Sequence, residues 1–441
     1  MFQRTLPARP SIENLRKQAK DLAKAYRAGR PAAMARVAAI RLAALPTNHI
    51  LTLADAQHVL AREYGFKSWP QLVRHLTLDP VARRLHELDI LFQGLPDVRD
   101  KTLTLLDLLE REVEALLKAH RARAGSAAAL IRFAQSVRGR PKQTDDEVFG
   151  AELTRHQARE AIAHWHWFES WADVRRDESV LVDPLFEAAA DAIVAGEPDV
   201  LAGLINRAPE IVFARSPFGH HATLLQHVAA NGIEASRQWQ SPSNAVEIAR
   251  MLLRAGADPN ATCDVYGGQS TALTLLVTSD HPAAAGVQAD LVEVICRAGA
   301  SPNGLGDDGR PLWEAIRSGY ALAAERLAYC GARVDNLLFA AALGDAIAVK
   351  SYFDGNGALI SDRARDWGKA QLHGLDRNHM LEYALIIAAG HGRRDVVQFL
   401  LTKQPDLAVR EPIWNNNALQ AAEYGEHHTI VALLQPLFRM P

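Results

Sequence analysis

One pattern recurs along the second half of this chain and restricts its fold more than any other feature. A short Ala-rich apolar helix is followed by a Gly, a second helix ending in two apolar residues, and then Gly-Ala. The ending is clearest in Leu252-Leu253-Arg254-Ala255-Gly256-Ala257-Asp258-Pro259-Asn260 and in Ile295-Cys296-Arg297-Ala298-Gly299-Ala300-Ser301-Pro302-Asn303, with a third copy in Leu327-Ala328-Tyr329-Cys330-Gly331-Ala332. Small alanines let helix pairs stack closely, and a Gly past a helix end takes the left-handed backbone that side chains resist. A unit this short cannot bury its apolar face alone, so a chain built this way needs stacked neighbours.

Seven units fit this register. Their first helices centre on Ala192-Ile193-Val194, Leu224-Leu225-Gln226-His227, Ala272-Leu273, Leu312-Trp313, Leu337-Leu338-Phe339, Leu385-Ile386-Ile387 and Ala418-Leu419-Gln420. Their second helices end at Leu204-Ile205, Leu252-Leu253, Ile295-Cys296, Leu327-Ala328, Tyr352-Phe353, Leu400-Leu401 and Leu433-Leu434. The pattern resembles the ankyrin repeat, a unit of about 33 residues with a β-turn and two helices. The resemblance implies an all-α array over about residues 184–437, usually a binding surface rather than an active site. Its Thr-Pro-Leu-His signature is nowhere intact. Gln226, Thr274, Trp313, Ile386 and Leu419 stand where the His belongs, which puts the polar network between repeats in doubt.

Two units are too long. From Gly232 to Leu252 is 20 residues, against about eight in a compact repeat. The next unit carries extra chain after Leu276-Val277, through Thr278, His281 and Gln288. Both insertions leave the turn between first and second helix in adjacent units, so they are expected side by side, on what is often the binding face of a repeat protein. With the hairpin at residues 263–269 they bring polar and aromatic groups into reach: His227, Asn231, Arg237, Gln238, Trp239, Tyr266, Thr278, Ser279, His281 and Gln288. Loop Asn, Ser, Thr and Gln also commonly tie loops to their own backbone. The runs at 227–232, 266–268 and 286–288 resemble a bacterial ankyrin subfamily, which implies a characteristic loop structure and names no ligand.

The first half contains a second repeat. Leu51-Thr52, Ala56, Leu60-Ala61 and Phe66-Lys67-Ser68-Trp69 align with Leu153-Thr154, Ala158, Ile162-Ala163 and Phe168-Glu169-Ser170-Trp171 at a constant offset of 102 residues. Upstream, residues 22–28 match 116–122. Ser68 and Ser170 are N-cap candidates, and the Trp that follows each is expected in the local core. Residues 10–76 resemble the helical leader of many bacterial ankyrin-repeat proteins. The expected organisation is all-α: an N-terminal helical unit at 1–80, a related unit at 81–180 and an ankyrin-repeat region at 181–441.

Composition narrows the function further. The net charge is -2, so no basic field points to nucleic acid or a membrane surface. Basic residues at 16–30 and 132–142 read as a solvated helix face and a linker. No apolar run is long enough to span a membrane, and the first residues lack the apolar core of a signal peptide. Three cysteines stand far apart in sequence, in no metal-ligand spacing, as expected of incidental thiols in a reducing cytoplasm. His164-Trp165-His166-Trp167 looks metal-like, but alternating positions on a helix diverge, and packing plus exposed His is expected.

Two functions remain. The first is an interaction scaffold that binds a protein partner through hairpin tips, concave face and insertion loops, with Trp239, Tyr266, Trp313 and Trp414 as aromatic anchors. The second is a small-molecule binder or enzyme with a pocket at the insertions, which requires His227, Asn231, Tyr266 and His281 to converge. No catalytic set, metal site or cofactor is expected. The stretch at 361–378, with Trp367 and His373, fits neither.

Overall fold

The computed structural model describes residues 12–39, 51–64, 69, 72–73, 103–136, 143–176, 179–230, 233–234, 237, 241–265, 268–364, 366, 372 and 374–438. The chain is mostly helical. Its buried apolar side chains fall into three clusters, at 15–72, at 103–182 together with Phe218, and at 186–434.

The first two clusters are built alike. Helix Ile12–Arg27 packs on helix Leu53–Glu63, and helix Leu105–Arg121 packs on helix Arg155–Trp165. The second helix of each pair starts with the same device. Thr52 and Thr154, 102 residues apart, each accept the N–H of the residue three on, and Asp55 and Gln157 answer by accepting the cap's own N–H. Leu22 and Leu116 are both buried, as the matched sequence requires. Ser170 hydrogen-bonds Asp173 in the first turn of helix Trp171–Arg176, and Trp171 is buried there. Ser68 lies outside the described residues.

From Pro184 onward the chain runs as seven helix pairs: Pro184–Ala195 with Pro198–Arg207, Leu224–Ala230 with Ala245–Arg254, Ala272–Leu276 with Gln288–Arg297, Arg310–Arg317 with Ala321–Tyr329, Leu337–Leu343 with Ala346–Lys350, Met380–Gly390 with Arg394–Leu401, and Ala418–Tyr424 with His428–Leu434. Each first helix contacts the first helix of the next pair. Among the first helices, Leu224–Ala230, Ala272–Leu276 and Leu337–Leu343 sit deepest; residues 224–230, 272–276 and 337–342 are all buried. The second helices are amphipathic. In Ala245–Arg254 the buried residues Ala245, Ile248, Ala249 and Leu252 form one stripe. Gly256, Gly299 and Gly331 close three of the pairs with φ of 100°, 103° and 98°. That shared backbone value explains why Gly, and no other residue, recurs before Ala in the sequence.

The described residues also contain β-structure that an all-α reading omits. Thr262–Cys263 and Ser270–Thr271 pair antiparallel across the hairpin before the third helix pair. A single bridge, Thr104 to Leu181, joins the start of the second cluster to the chain entering the third. That junction is reinforced by the loop at 213–222. Phe218 stacks on His166 with ring centres 4.4 Å apart, the Gly219 N–H donates to the His166 carbonyl at 2.9 Å, and the Trp167 indole donates to the Ile233 carbonyl at 3.3 Å.

Two expectations need correcting here. His164 and His166 do diverge, but neither is exposed: both are buried, His166 under Phe218 of the loop at 213–222 and His164 among residues of the second cluster. His164 Nδ1 pairs with the Phe168 carbonyl at 3.0 Å and His166 Nε2 with Glu112 at 2.6 Å. Two of the cysteines are neighbours in space, since the Cys296 thiol bonds that of Cys330 on the next helix pair, and burial followed by this contact pushes its pKa up. In the stretch at 361–378, Trp367 and His373 lie outside the described residues. No helix among the described residues is long and apolar enough to cross a membrane.

Candidate functional site

Within the long insertion of the second helix pair, Glu234 and Arg237 lie against the first pair. They meet Glu187 of helix Pro184–Ala195 and His227 of helix Leu224–Ala230. His220, from the preceding loop, completes the group. All five side chains are buried or nearly so, and the two His rings are wholly inaccessible.

The contacts fix the chemistry. Arg237 donates to Glu187 at 2.6 Å, to Glu234 at 3.1 Å and to Asp191 at 2.9 Å. His220 accepts the Ala222 N–H on Nδ1 at 3.1 Å, so its proton sits on Nε2 and is donated to Glu234 Oε1 at 2.8 Å. His227 lies with Nδ1 2.9 Å from the Thr223 carbonyl, which can only accept. The His227 Nδ1 therefore carries a proton, which leaves Nε2 turned to the cluster. That Nε2 faces Glu234 Oε2 across 3.6 Å, and neither atom has a hydrogen-bond partner; Glu187 Oε1 also lacks one. Such orphans are costly at full burial.

Electrostatics separates the members. Burial pushes the Glu234 carboxyl up, but Arg237, His220 and His227 together outweigh it and hold the group well below its ordinary value. Glu187 moves the other way, because desolvation and the nearby Glu234 overcome the pull of Arg237. Desolvation lowers His220, against the attraction of Glu234. Arg237 is raised far above its usual value: three carboxylates outweigh its burial.

The anticipated site residues are described only in part. Asn231, Gln238, Trp239 and Tyr266 lie outside the described residues. Arg237 is no surface anchor, since its guanidinium is spent on internal carboxylates. Thr278 donates to its own helix at Thr274 and Leu275, and Gln288 is buried, donating to the carbonyls of Leu276 at 2.9 Å and Ser279 at 3.3 Å. Both fasten the second insertion to its own backbone. Ser279 precedes the short helix Asp280–Ala284, and His281 within that helix stands apart from the His220, His227 and Glu234 group. Gln226, in the His position of the signature, restores a link between units: it accepts the Thr223 N–H at 2.7 Å and donates to the carbonyls of Ala261 at 2.8 Å and Ser270 at 3.1 Å.

Trp313 and Trp414 do meet, in a groove of about 440 Å³ lined also by Tyr383, Ile387, Ile413 and Tyr424. Trp313 forms its floor, 7% exposed and stacked on Phe339. Trp414 and Tyr424 form its rim at 63% and 86% exposed. Trp414 is held in place from both sides. Its indole donates to the Arg317 carbonyl at 2.9 Å, and Glu411 accepts the N–H groups of Ile413, Trp414 and Asn416.

Sequence reasoning missed His220, Glu234 and Glu187 because they come from three separate elements. The equal spacing of seven residues between His220, His227 and Glu234 was the available signal. No protein-family model matches this chain, and no curated protein matches it.

Proposed function

We propose that residues 181–441 form an ankyrin-type solenoid of seven repeats whose aromatic groove binds an apolar segment of a partner protein, in a non-catalytic scaffold. The observation that carries this reading is the exposure of Trp414 and Tyr424 over the apolar floor of Trp313, Tyr383 and Ile387. Large aromatic side chains seldom stay in water at such density without an occupant, and rigid aromatic anchors commonly dominate binding energy. The glutamate-bound loop at 411–416 supports the same reading, because it orders Trp414 before any partner arrives. The seven helix pairs, three of them with Gly-Ala closures, support the repeat assignment, and the leader at 10–76 supports a likeness to bacterial ankyrin-repeat proteins acting in the cytoplasm.

The test is affinity capture from the source cells with wild type and with Trp414→Ala plus Tyr424→Ala, followed by protein and metabolite mass spectrometry. A protein retained by wild type and lost by the variant supports the reading. Equal retention by both removes the groove from it. A metabolite lost with the two side chains, in the absence of any protein, replaces the scaffold with a small-molecule binder.

A further inference from the structure

We propose that His227, Glu234 and His220 form a buried structural site for a divalent transition-metal ion of the zinc type, which locks the insertion at 233–237 against the first two helix pairs. The proposal stands apart from the groove and does not depend on it.

The argument starts from the two orphaned atoms. His227 Nε2 and Glu234 Oε2 are both fully buried and both without a hydrogen-bond partner, yet they face each other at 3.6 Å. With the ring neutral, the Nε2 lone pair points at a carboxylate oxygen, an arrangement that a cation between the two atoms relieves. A hydrogen bond through a shared proton would draw the atoms closer than this. Two ligands of a tetrahedral zinc ion, each about 2.1 Å from the metal, are separated by roughly 3.4 Å. The observed gap fits two ligands of one metal ion.

The surroundings fit as well. The ligand atoms of His220, His227 and Glu234 all lie within 4.8 Å of one another. The Nδ1–H of His227 is held by the Thr223 carbonyl, which orients the ring and leaves Nε2 free, as in metal-ligating histidines generally. Nitrogen and carboxylate donors in a set of two His and one Glu suit zinc, whereas calcium and magnesium demand more oxygen. His220 joins as the third donor by shifting its ring proton from Nε2 to Nδ1, giving up the Ala222 contact. The cluster also has charge to spare, with Glu187, Glu234 and Asp191 set against the single guanidinium of Arg237.

The whole chain, stripped with a chelator, is titrated with Zn2+ alone by calorimetry and by thermal unfolding. One equivalent is expected to bind, to raise the unfolding midpoint, and to leave slowly when EDTA is added, since the site is sealed from solvent; Mg2+ does none of this. His227→Gln is expected to weaken binding at least about 10-fold. Unchanged affinity in that variant, or no stoichiometric binding to wild type, overturns the proposal. Should the variant fail to fold, cobalt(II) bound to wild type decides. Bands of a nitrogen- and oxygen-ligated ion that EDTA removes slowly sustain the site. A thiolate charge-transfer band would put the metal on Cys296 and Cys330, and immediate loss to EDTA would put it on surface histidines; either result overturns the proposal.

Discussion

The imidazole of His391 reaches across from the sixth helix pair and hydrogen-bonds through Nε2 to the carbonyl of Ile316 in the fourth, at 2.8 Å. The ring is buried in doing so, and burial disfavours its charged form. Desolvation, offset in part by the Ile316 carbonyl, lowers its pKa to about 4.

This sets a pH dependence of known sign. In the unfolded chain the ring takes up a proton below about 6.5, but in the folded chain only near 4. Between those values the unfolded state binds more protons, so stability falls as pH drops from 6.5 towards 4. The largest loss from this group is roughly 3 kcal/mol. Urea unfolding of wild type and His391→Gln at pH 7, 5.5 and 4.5 should show a shallower decline in the variant. Parallel declines would mean that His391 does not carry the effect.

Two glycines should respond in opposite ways to alanine. Gly299 has open space for a Cβ but a φ of 103°, so Gly299→Ala is expected to cost about 1–3 kcal/mol through backbone strain alone. Gly203 lies in helix Pro198–Arg207, exposed and with equal space, and Gly203→Ala is expected to add about 0.5–1 kcal/mol. Denaturant midpoints for the pair test the point, and shifts of the same sign would contradict it.

Gln226 ties two segments to its own helix from a fully buried position. Gln226→Leu keeps most of the volume and strands the Thr223 N–H and the Ala261 and Ser270 carbonyls. The expected loss is about 3 kcal/mol. Amide exchange in the ribbon at 262–271 should quicken before global unfolding. A variant as stable as wild type would show that these groups find other partners.

Cys263 is pushed up to about 12, mainly by burial. Only the thiolate is nucleophilic, so iodoacetamide at pH 8 should label Cys263 far more slowly in the native protein than in urea. Peptide mapping after timed quenching reads this directly, and equal rates would show that the segment opens readily.

The repeated elements were legible in the sequence because their signals are local. Gly-Ala after a leucine pair dictates a backbone angle, and a Thr three residues before Asp or Gln dictates a helix start. Both require only neighbours in the chain. The candidate sites depend on distance relations that no local pattern carries. Arg237 was read as a loop residue aimed at a partner, yet the turn at 233–237 sends it inward, where Glu187, 50 residues earlier, receives it. His281 and His227 were paired by the nearness of two insertions. Glu234 and Arg237 of the first insertion lie against the preceding helix pair instead, so His227 meets Glu234. Cys296 and Cys330 were far apart along the chain, but helix Gln288–Arg297 packs on helix Ala321–Tyr329 and brings their ends together. Trp313 and Trp414 were chosen only as aromatic residues. Their meeting follows from a contact between distant parts of the chain, the Trp414 indole on the Arg317 carbonyl.

Contacts that skip over neighbouring pairs have a mechanical consequence. A row of helix pairs in which each holds only its neighbour can be peeled from its free end one pair at a time. Here His391 grips the carbonyl of Ile316, and the Trp414 indole grips that of Arg317, 97 residues earlier in the chain. Tension applied at the C-terminus must break bonds into the fourth pair before the seventh can come away. The last pairs are thus expected to rip as one block in a force–extension trace, and a ladder of single-pair steps would show that the two grips bear no load.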